Sequence, residues 1–331
     1  MGVSSKPVQH STSPRRVLEW LAVAAALAVV AGLAVGGWEL SRSTAGAASD
    51  QARPALPAEA GSEPSVLTPR FVGLPLAGHD RDVLVGIGAR RRGSVDVVVV
   101  PSDETVVAPG GVTLRRGATR MSGESATSCG KRCLRFPLRV LAGAPSSFAV
   151  IVSRPGKPAA SVRFDLPARL PPLADRLYRA GRARMLGLTS LQMHETLGSG
   201  LASPIVSTWS FAAPDRMSYA IAGGSKAVVI GTKRWDWADG NWTPSTSSPL
   251  RLPAYPWQVV RRARLVGSAR VDGHSVRVLA AMSPGVEFPT WFLLYVADDG
   301  HVVRMKMLTT GHFMVDTYRA FDHAPAIRPP A

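Results

Sequence analysis

Residues 173–193 read LADRLYRAGRARMLGLTSLQM, and the chain changes character at this point. Leu173, Leu177, Ala180, Arg184 and Leu188 fall on one stripe at helical spacing, and Tyr178, Met185 and Leu191 widen its apolar face. Asp175 in the first turn suits the positive end of the helix dipole. The next residues, His194-Glu195-Thr196-Leu197, can leave the helix as a strand. Strand-like segments then follow one another: Ile205 to Phe211, Arg216 to Ala222, Ala227 to Trp235, Arg264 to Val271, Ser275 to Ala281, Trp291 to Val296, Val302 to Met307 and Phe313 to Phe321. Gly223-Gly224, Asp239-Gly240-Asn241, Asp272-Gly273 and Asp298-Asp299-Gly300 punctuate them, and Asp-Gly between apolar runs is a strong hairpin signal. A helix followed by a long antiparallel meander predicts a strongly curved sheet wrapped on the helix.

Upstream, residues 70–167 predict a second β unit. Asp82 to Ile87 alternates apolar and polar residues, and Val95 to Val100 is a β-branched run ended by Pro101. Val112 to Leu114, Leu134 to Leu141, Ser147 to Ser153 and Ala160 to Leu166 follow at the short spacing of sandwich domains. The expected object is an Ig-like β-sandwich of about 100 residues. Residues 40–69 are rich in Ala, Ser, Pro, Gly and Glu without periodicity, as in a linker.

Val17 to Trp38 reads VLEWLAVAAALAVVAGLAVGGW, interrupted only by Glu19 at its edge. About 20 apolar residues span a bilayer as a helix, and Trp20 and Trp38 bracket the run as interfacial aromatics do. Lys6, Arg15 and Arg16 precede it while the following flank is neutral, so the N-terminus is expected in the cytosol and the rest outside. The expected order is a cytoplasmic tail (1–16), a transmembrane signal anchor (17–39), a linker (40–69), the sandwich (70–167) and a final domain (168–331). A cleaved signal peptide ending near Ala45-Gly46-Ala47 is the competing reading. Cys129 and Cys133, the only cysteines, read as a disulfide of an oxidising compartment, with a Cys-x-x-x-Cys metal site as the alternative.

The chain has 331 residues and a formal net charge of +16. The excess is spread evenly over the two β units, and Arg outnumbers Lys 33 to 6. A nucleic-acid footprint clusters on one face, so no nucleic-acid partner is expected; an anionic membrane surface suits the charge as well. The clusters Arg90-Arg91-Arg92 and Arg261-Arg262 with Arg264 read as solvated loops. GxSxG, P-loop and GxGxxG patterns do not occur, and the scattered His79, His274, His301, His312 and His323 have no nucleophile signature beside them. His194-Glu195 lacks the second histidine of HExxH, because residue 198 is Gly198; it reads as a solvated strand end. The chain is not expected to be an enzyme.

The order of the later segments is familiar. The helix ending in LTSLQMHETLGSG, then WSFAAPDRMSY, IGTKRWDWADGNW, WFLLYVADDGHVVRMKM and HFMVDTYRAFDHAPAIRPP, resembles the LolA-like lipoprotein-carrier superfamily over residues 173–330. A closer echo is with the extracytoplasmic tails of actinobacterial copper-transport membrane proteins, which are similar in pairing a small β-sandwich with such a unit. This chain departs from them in having one membrane segment and no N-terminal His-rich site. The resemblance implies a mainly β fold with a half-open antiparallel β-barrel, a helix at its mouth, and an apolar cavity for an acyl chain, lipid or lipoprotein. It implies a lipid or lipoprotein as partner; the apolar N-terminal segment adds the membrane, and a sensor or interaction role would add another envelope protein.

The candidate cavity residues are aromatic and thioether side chains of the final domain. Trp209, Phe211, Met217, Tyr219 and Trp235 come from its first strands, and Trp291, Leu293, Tyr295, Met305, Met307 and Phe313 from its last. Trp291, Leu293 and Tyr295 share one strand face, and Phe292, Leu294 and Val296 the other, so both faces are covered or one lines a cavity. A second constellation, Met305, Met307, His312 and Met314, offers thioether and imidazole ligands suited to Cu(I). A two-residue turn at Thr309-Thr310 sets Met307 opposite His312 and Met305 opposite Met314. A three-residue loop including Gly311 shifts the register by one and disperses the cluster. The expected roles are therefore a lipid-binding envelope protein without cofactor, a copper-homeostasis accessory, or an envelope sensor or interaction module.

Overall fold

The computed structural model describes residues 73–90, 93–127, 129, 132–283 and 289–331. The expected membrane segment, the linker, Arg91 and Arg92 lie outside them. No helix among the described residues is long and apolar enough to cross a membrane.

The described chain is mainly β, with antiparallel pairing throughout. Residues 74–166 form two sheets. One runs in the order β1 (Leu74–Asp80), β2 (Val83–Ala89), β3 (Val95–Pro101), β7 (Cys133–Phe136), β6 (Glu124–Ala126). The other runs β5 (Thr119–Ser122), β4 (Val112–Arg116), β8 (Ser146–Arg154), β9 (Lys157–Leu166). Val85, Ile87 and Val97 of the first share a core with Leu114, Val150 and Val162 of the second. The β-branched runs suit this pleated, two-layer packing. Cys129 and Cys133 are joined in a disulfide, so their sulfurs are not free to ligate a metal.

The helix α1 (Asp175–Leu186) is shorter than its sequence pattern predicts. The chain turns at Gly187, and Ser190–Met193, expected as helix, belong to a strand. The buried helix face is Tyr178, Gly181 and Met185, whereas Leu173 is half exposed. Gly181 lets the helix approach closely: a Cβ there would stand 3.3 Å from the Gly300 carbonyl oxygen, a tight contact that the neighbouring turn would have to relieve.

An 11-stranded sheet follows. Its order is β15 (Asn241–Thr246), β14 (Lys233–Ala238), β13 (Lys226–Ile230), β12 (Arg216–Ile221), β11 (Ile205–Ala212), β10 (Ser190–Gly198), β20 (His312–Arg319), β19 (Val302–Thr309), β18 (Thr290–Ala297), β17 (His274–Ser283), β16 (Arg261–Val271). Neighbours are consecutive hairpins except at one seam, where the first strand, β10, pairs with the last, β20. The edges β15 and β16 are not paired to each other, so the sheet stays open. The segment Ala227 to Trp235, expected as one strand, is two, because Gly231 (φ 62°) turns the chain. Asp272 and Gly273, both at positive φ, make the hairpin turn their sequence predicts.

Both faces of this sheet are covered over β17–β20. The inner face packs on α1 and on the irregular segment 247–260, with Trp257 fully enclosed. The outer face packs on the sandwich, where Trp291 and Phe313 meet Leu84, Val98, Val100 and the disulfide. Strands β2 and β3 are consequently buried on both faces, and the alternation expected at Asp82–Ile87 is absent. Gly86 lies under Trp291: a Cβ there would come within 2.0 Å of the indole. The Arg264 guanidinium, expected in a solvated loop, is buried in the joint and donates to the Gly73 (2.8 Å) and Pro171 (2.5 Å) carbonyls. Arg90 pairs with the buried carboxylate of Asp96.

Candidate functional site

The eleven expected cavity residues divide between the two faces. Trp209, Phe211, Met217, Tyr219, Met305 and Met307 lie in the inner core. Trp291, Leu293 and Phe313 face the sandwich, and Tyr295 packs in a separate outer cluster with Val276 and Val303. Trp235 pairs with Val228, away from the inner-facing Val229, and is also outside the inner core. Strand alternation separates the faces correctly but does not say which one meets the helix.

The inner face encloses a cavity of about 40 Å³, lined by Met193, Trp209, Phe211, Tyr255, Met307 and Met314 together with polar groups. That volume admits a water or two, well below the roughly 300 Å³ at which small-molecule pockets begin. Tyr255 and Trp257 are the reason: they stack at 5.1 Å, and Tyr255 meets Tyr318 edge-on at 5.8 Å. Their segment is tied to the helix by Tyr255 Oη donating to the Met185 carbonyl (3.2 Å) and Tyr178 Oη donating to the Trp257 carbonyl (2.9 Å). Backbone bonds hold it to the rest of the chain at Ser247–Thr232 and Leu252–Pro214. Sequence reading missed this stopper, although its aromatic pair in an irregular, Pro-rich segment is a usable signal.

The Met/His constellation takes neither expected register. Thr309 pairs with His312 across a Thr310-Gly311 turn, which sets Met307 opposite Met314 and Met305 opposite Asp316. Met307, His312 and Met314 line the cavity; Met305 is fully buried beside it. His312 Nδ1 lies 3.0 Å from the Thr310 carbonyl.

The polar groups of the cavity are a correction to the sequence reading. His194 is exposed, but Glu195, expected at a solvated strand end, is 6% exposed and faces Asp316 (1% exposed) across the β10–β20 seam. Ser207 Oγ donates to Glu195 Oε1 (3.1 Å) and accepts from Trp209 Nε1 (2.7 Å). Tyr318 Oη donates to Asp316 Oδ2 (3.0 Å) and accepts from Trp257 Nε1 (3.4 Å). Burial pushes both carboxyls up from their ordinary range, Asp316 furthest, and the charge of Glu195 adds to the effect on Asp316.

A second concavity, about 300 Å³, lies between β1 and the outer face. Trp291, Leu308 and Phe313 line it with Lys306, and His79 stacks on Phe313 at 4.1 Å. Burial lowers the His79 imidazole below its ordinary pKa.

These features define a class: an open, antiparallel 11-stranded sheet with an apolar inner face, covered by a helix and an aromatic loop. No family model and no curated protein matches the chain. Among solved structures it is similar to the lipoprotein LppX of Mycobacterium tuberculosis, at 13% identity over 46% of this chain and 97% of that one, with a TM-score of 0.36. It is similar to LprF of Mycobacterium bovis, at 11% identity over 48% and 99%, with a TM-score of 0.37. A LolA superfamily protein of Nitrosomonas europaea matches at 12% identity over 47% and 95%, with a TM-score of 0.24. At such identities, what this chain binds has to be argued from its own residues.

Proposed function

We propose that this chain is a non-catalytic binding protein that takes the acyl chain of a lipid or lipoprotein into the half-barrel by displacing segment 247–260. The observation that carries the reading is the stopper itself. The apolar inner face is closed by loop side chains rather than by further strands. Ten buried methylenes are worth roughly 8 kcal/mol, the same order as roughly 3–5 kcal/mol for each of the two large aromatics withdrawn, so exchanging Tyr255 and Trp257 for an acyl chain is close to balanced. The apolar run Val17–Trp38 would hold the protein at the membrane with the β units outside, a setting that suits the disulfide. The test is organic extraction and mass spectrometry of the full chain, purified in detergent and exchanged into amphipol. Reproducible recovery of one acyl class at near-stoichiometric amount is expected. Absence of acyl species, before and after incubation with lipid vesicles, would sink the reading.

A second reading is a copper-homeostasis accessory. Met307, His312 and Met314 share the cavity, and thioether with imidazole suits Cu(I). Competition with a Cu(I)-selective chelator decides it: retention of one Cu(I) per chain, lost on Met307→Leu with Met314→Leu, supports this role, and no retention ends it.

A further inference from the structure

One row of side chains crosses the inner face from β11 to β17: Ser207, Glu195, Asp316, Met305, Leu294, Leu279. The acids stand in its middle, directly opposite each other, where two like charges repel. The titratable groups lining the cavity are Glu195 from β10, His312, Asp316 and Tyr318 from β20, and Tyr255 from the stopper; no Lys or Arg is among them. Neither acid has an ion-pair partner among the described residues, so in this apolar setting both carboxyls favour their neutral, protonated form. Each acid has one oxygen committed as the acceptor of a hydroxyl that is itself fixed by an indole. Asp316 Oδ1 is enclosed and has no hydrogen-bond partner. A buried polar atom left unmade in this way calls for a ligand group.

We propose that Glu195 and Asp316 form the specificity site of the half-barrel, selecting apolar ligands that carry a neutral hydrogen-bond acceptor, such as the ester carbonyl of an acyl lipid, over plain hydrocarbon and over cationic amphiphiles. The proton held by the pair donates to the ligand oxygen when Tyr255 is displaced. A protonated acid in an apolar site is a good donor to a carbonyl, and an anionic one would attract an ammonium group instead. The proposal rests on the acyl reading of the half-barrel.

The test titrates the full chain with methyl decanoate, decane and decylamine, read by the change in tryptophan fluorescence to which Trp209 of the cavity contributes. Wild type is expected to bind methyl decanoate about tenfold more tightly than decane, the worth of one hydrogen bond that would otherwise go unmade. Asp316→Leu removes the donor without leaving a polar atom behind; it should keep decane binding and lose the preference. Asp316→Asn retains an N–H donor and should restore it. Glu195→Leu with Glu195→Gln repeats the comparison should Asp316→Leu fail to fold. Equal binding of ester and decane by wild type, an unchanged preference in Asp316→Leu, or tighter binding of decylamine than of the ester overturns the proposal and leaves the acyl reading standing. Binding of none of the three overturns both.

Discussion

Glu195 and Asp316 face each other in an apolar core, and their cost to stability has a definite sign with pH. Burial raises both carboxyls in the folded protein. The folded state therefore holds more protons than the unfolded chain once pH rises above the ordinary carboxylate pKa of about 4. Their contribution is fully present below that pH and is lost as pH rises toward their folded values, at up to about 1.4 kcal/mol per pH unit for each extra proton held. Other groups titrate too, including His79, whose lowered pKa acts in the opposite direction near neutrality. The informative measurement is thus a difference. Melting temperatures of wild type and Asp316→Asn, followed from pH 5 to 8, should diverge, with the wild type losing more stability as pH rises. Parallel curves would mean that the pair does not hold the proton assigned to it. Sequence alone hid this pair, since an isolated Glu after His194 looks like any strand end and its partner comes from the far end of the same domain.

At the scale of the element, the stopper is the part whose removal tests the binding mode. Tyr255 fills space that an acyl chain would need, and its hydroxyl anchors the loop to α1. Tyr255→Ala should lower stability by about 3–5 kcal/mol, as truncation of a buried aromatic does. The same change should tighten binding of decane several-fold, because the ligand no longer has to displace the ring. Calorimetry reads the first effect and titration the second. A destabilised variant that binds decane no better than wild type would show that the route into the half-barrel does not pass Tyr255. The strand and hairpin pattern of this region was legible, since Asp-Gly turns and apolar runs are local. The end of α1 was not: Leu188 and Leu191 fit the helical face, yet Leu191 reaches the same core with Met193 as alternate residues of β10.

For the whole molecule, the decisive contact is the packing of the sandwich against the outer face of the 11-stranded sheet. Trp291 over Gly86 and Phe313 under His79 make one continuous apolar joint, with Arg264 closing it at the other side. The two β units should accordingly unfold together, in a single calorimetric transition. Gly86→Ala, which drives a methyl into the Trp291 indole, should cost about 1–3 kcal/mol. It should also separate the unfolding of the two units if Trp291 is what couples them. Two resolved transitions in the wild type would refute the coupling.

The β character, most of the hairpins, a helix ahead of a meandering sheet and the cysteine pair were legible from the chain alone, because each of these is written in residues close together. Tertiary structure alone decided which face of β18 and β20 meets the helix, the register that sets Met307 against Met314, and the filling of the inner face by Tyr255 and Trp257. It also decided the meeting of two acids across the seam between the first and last strands of the sheet. The physical reason is common to all of them. An apolar strand buried on both sides carries no mark of which side faces which layer, and a shift of one residue in pairing exchanges the two.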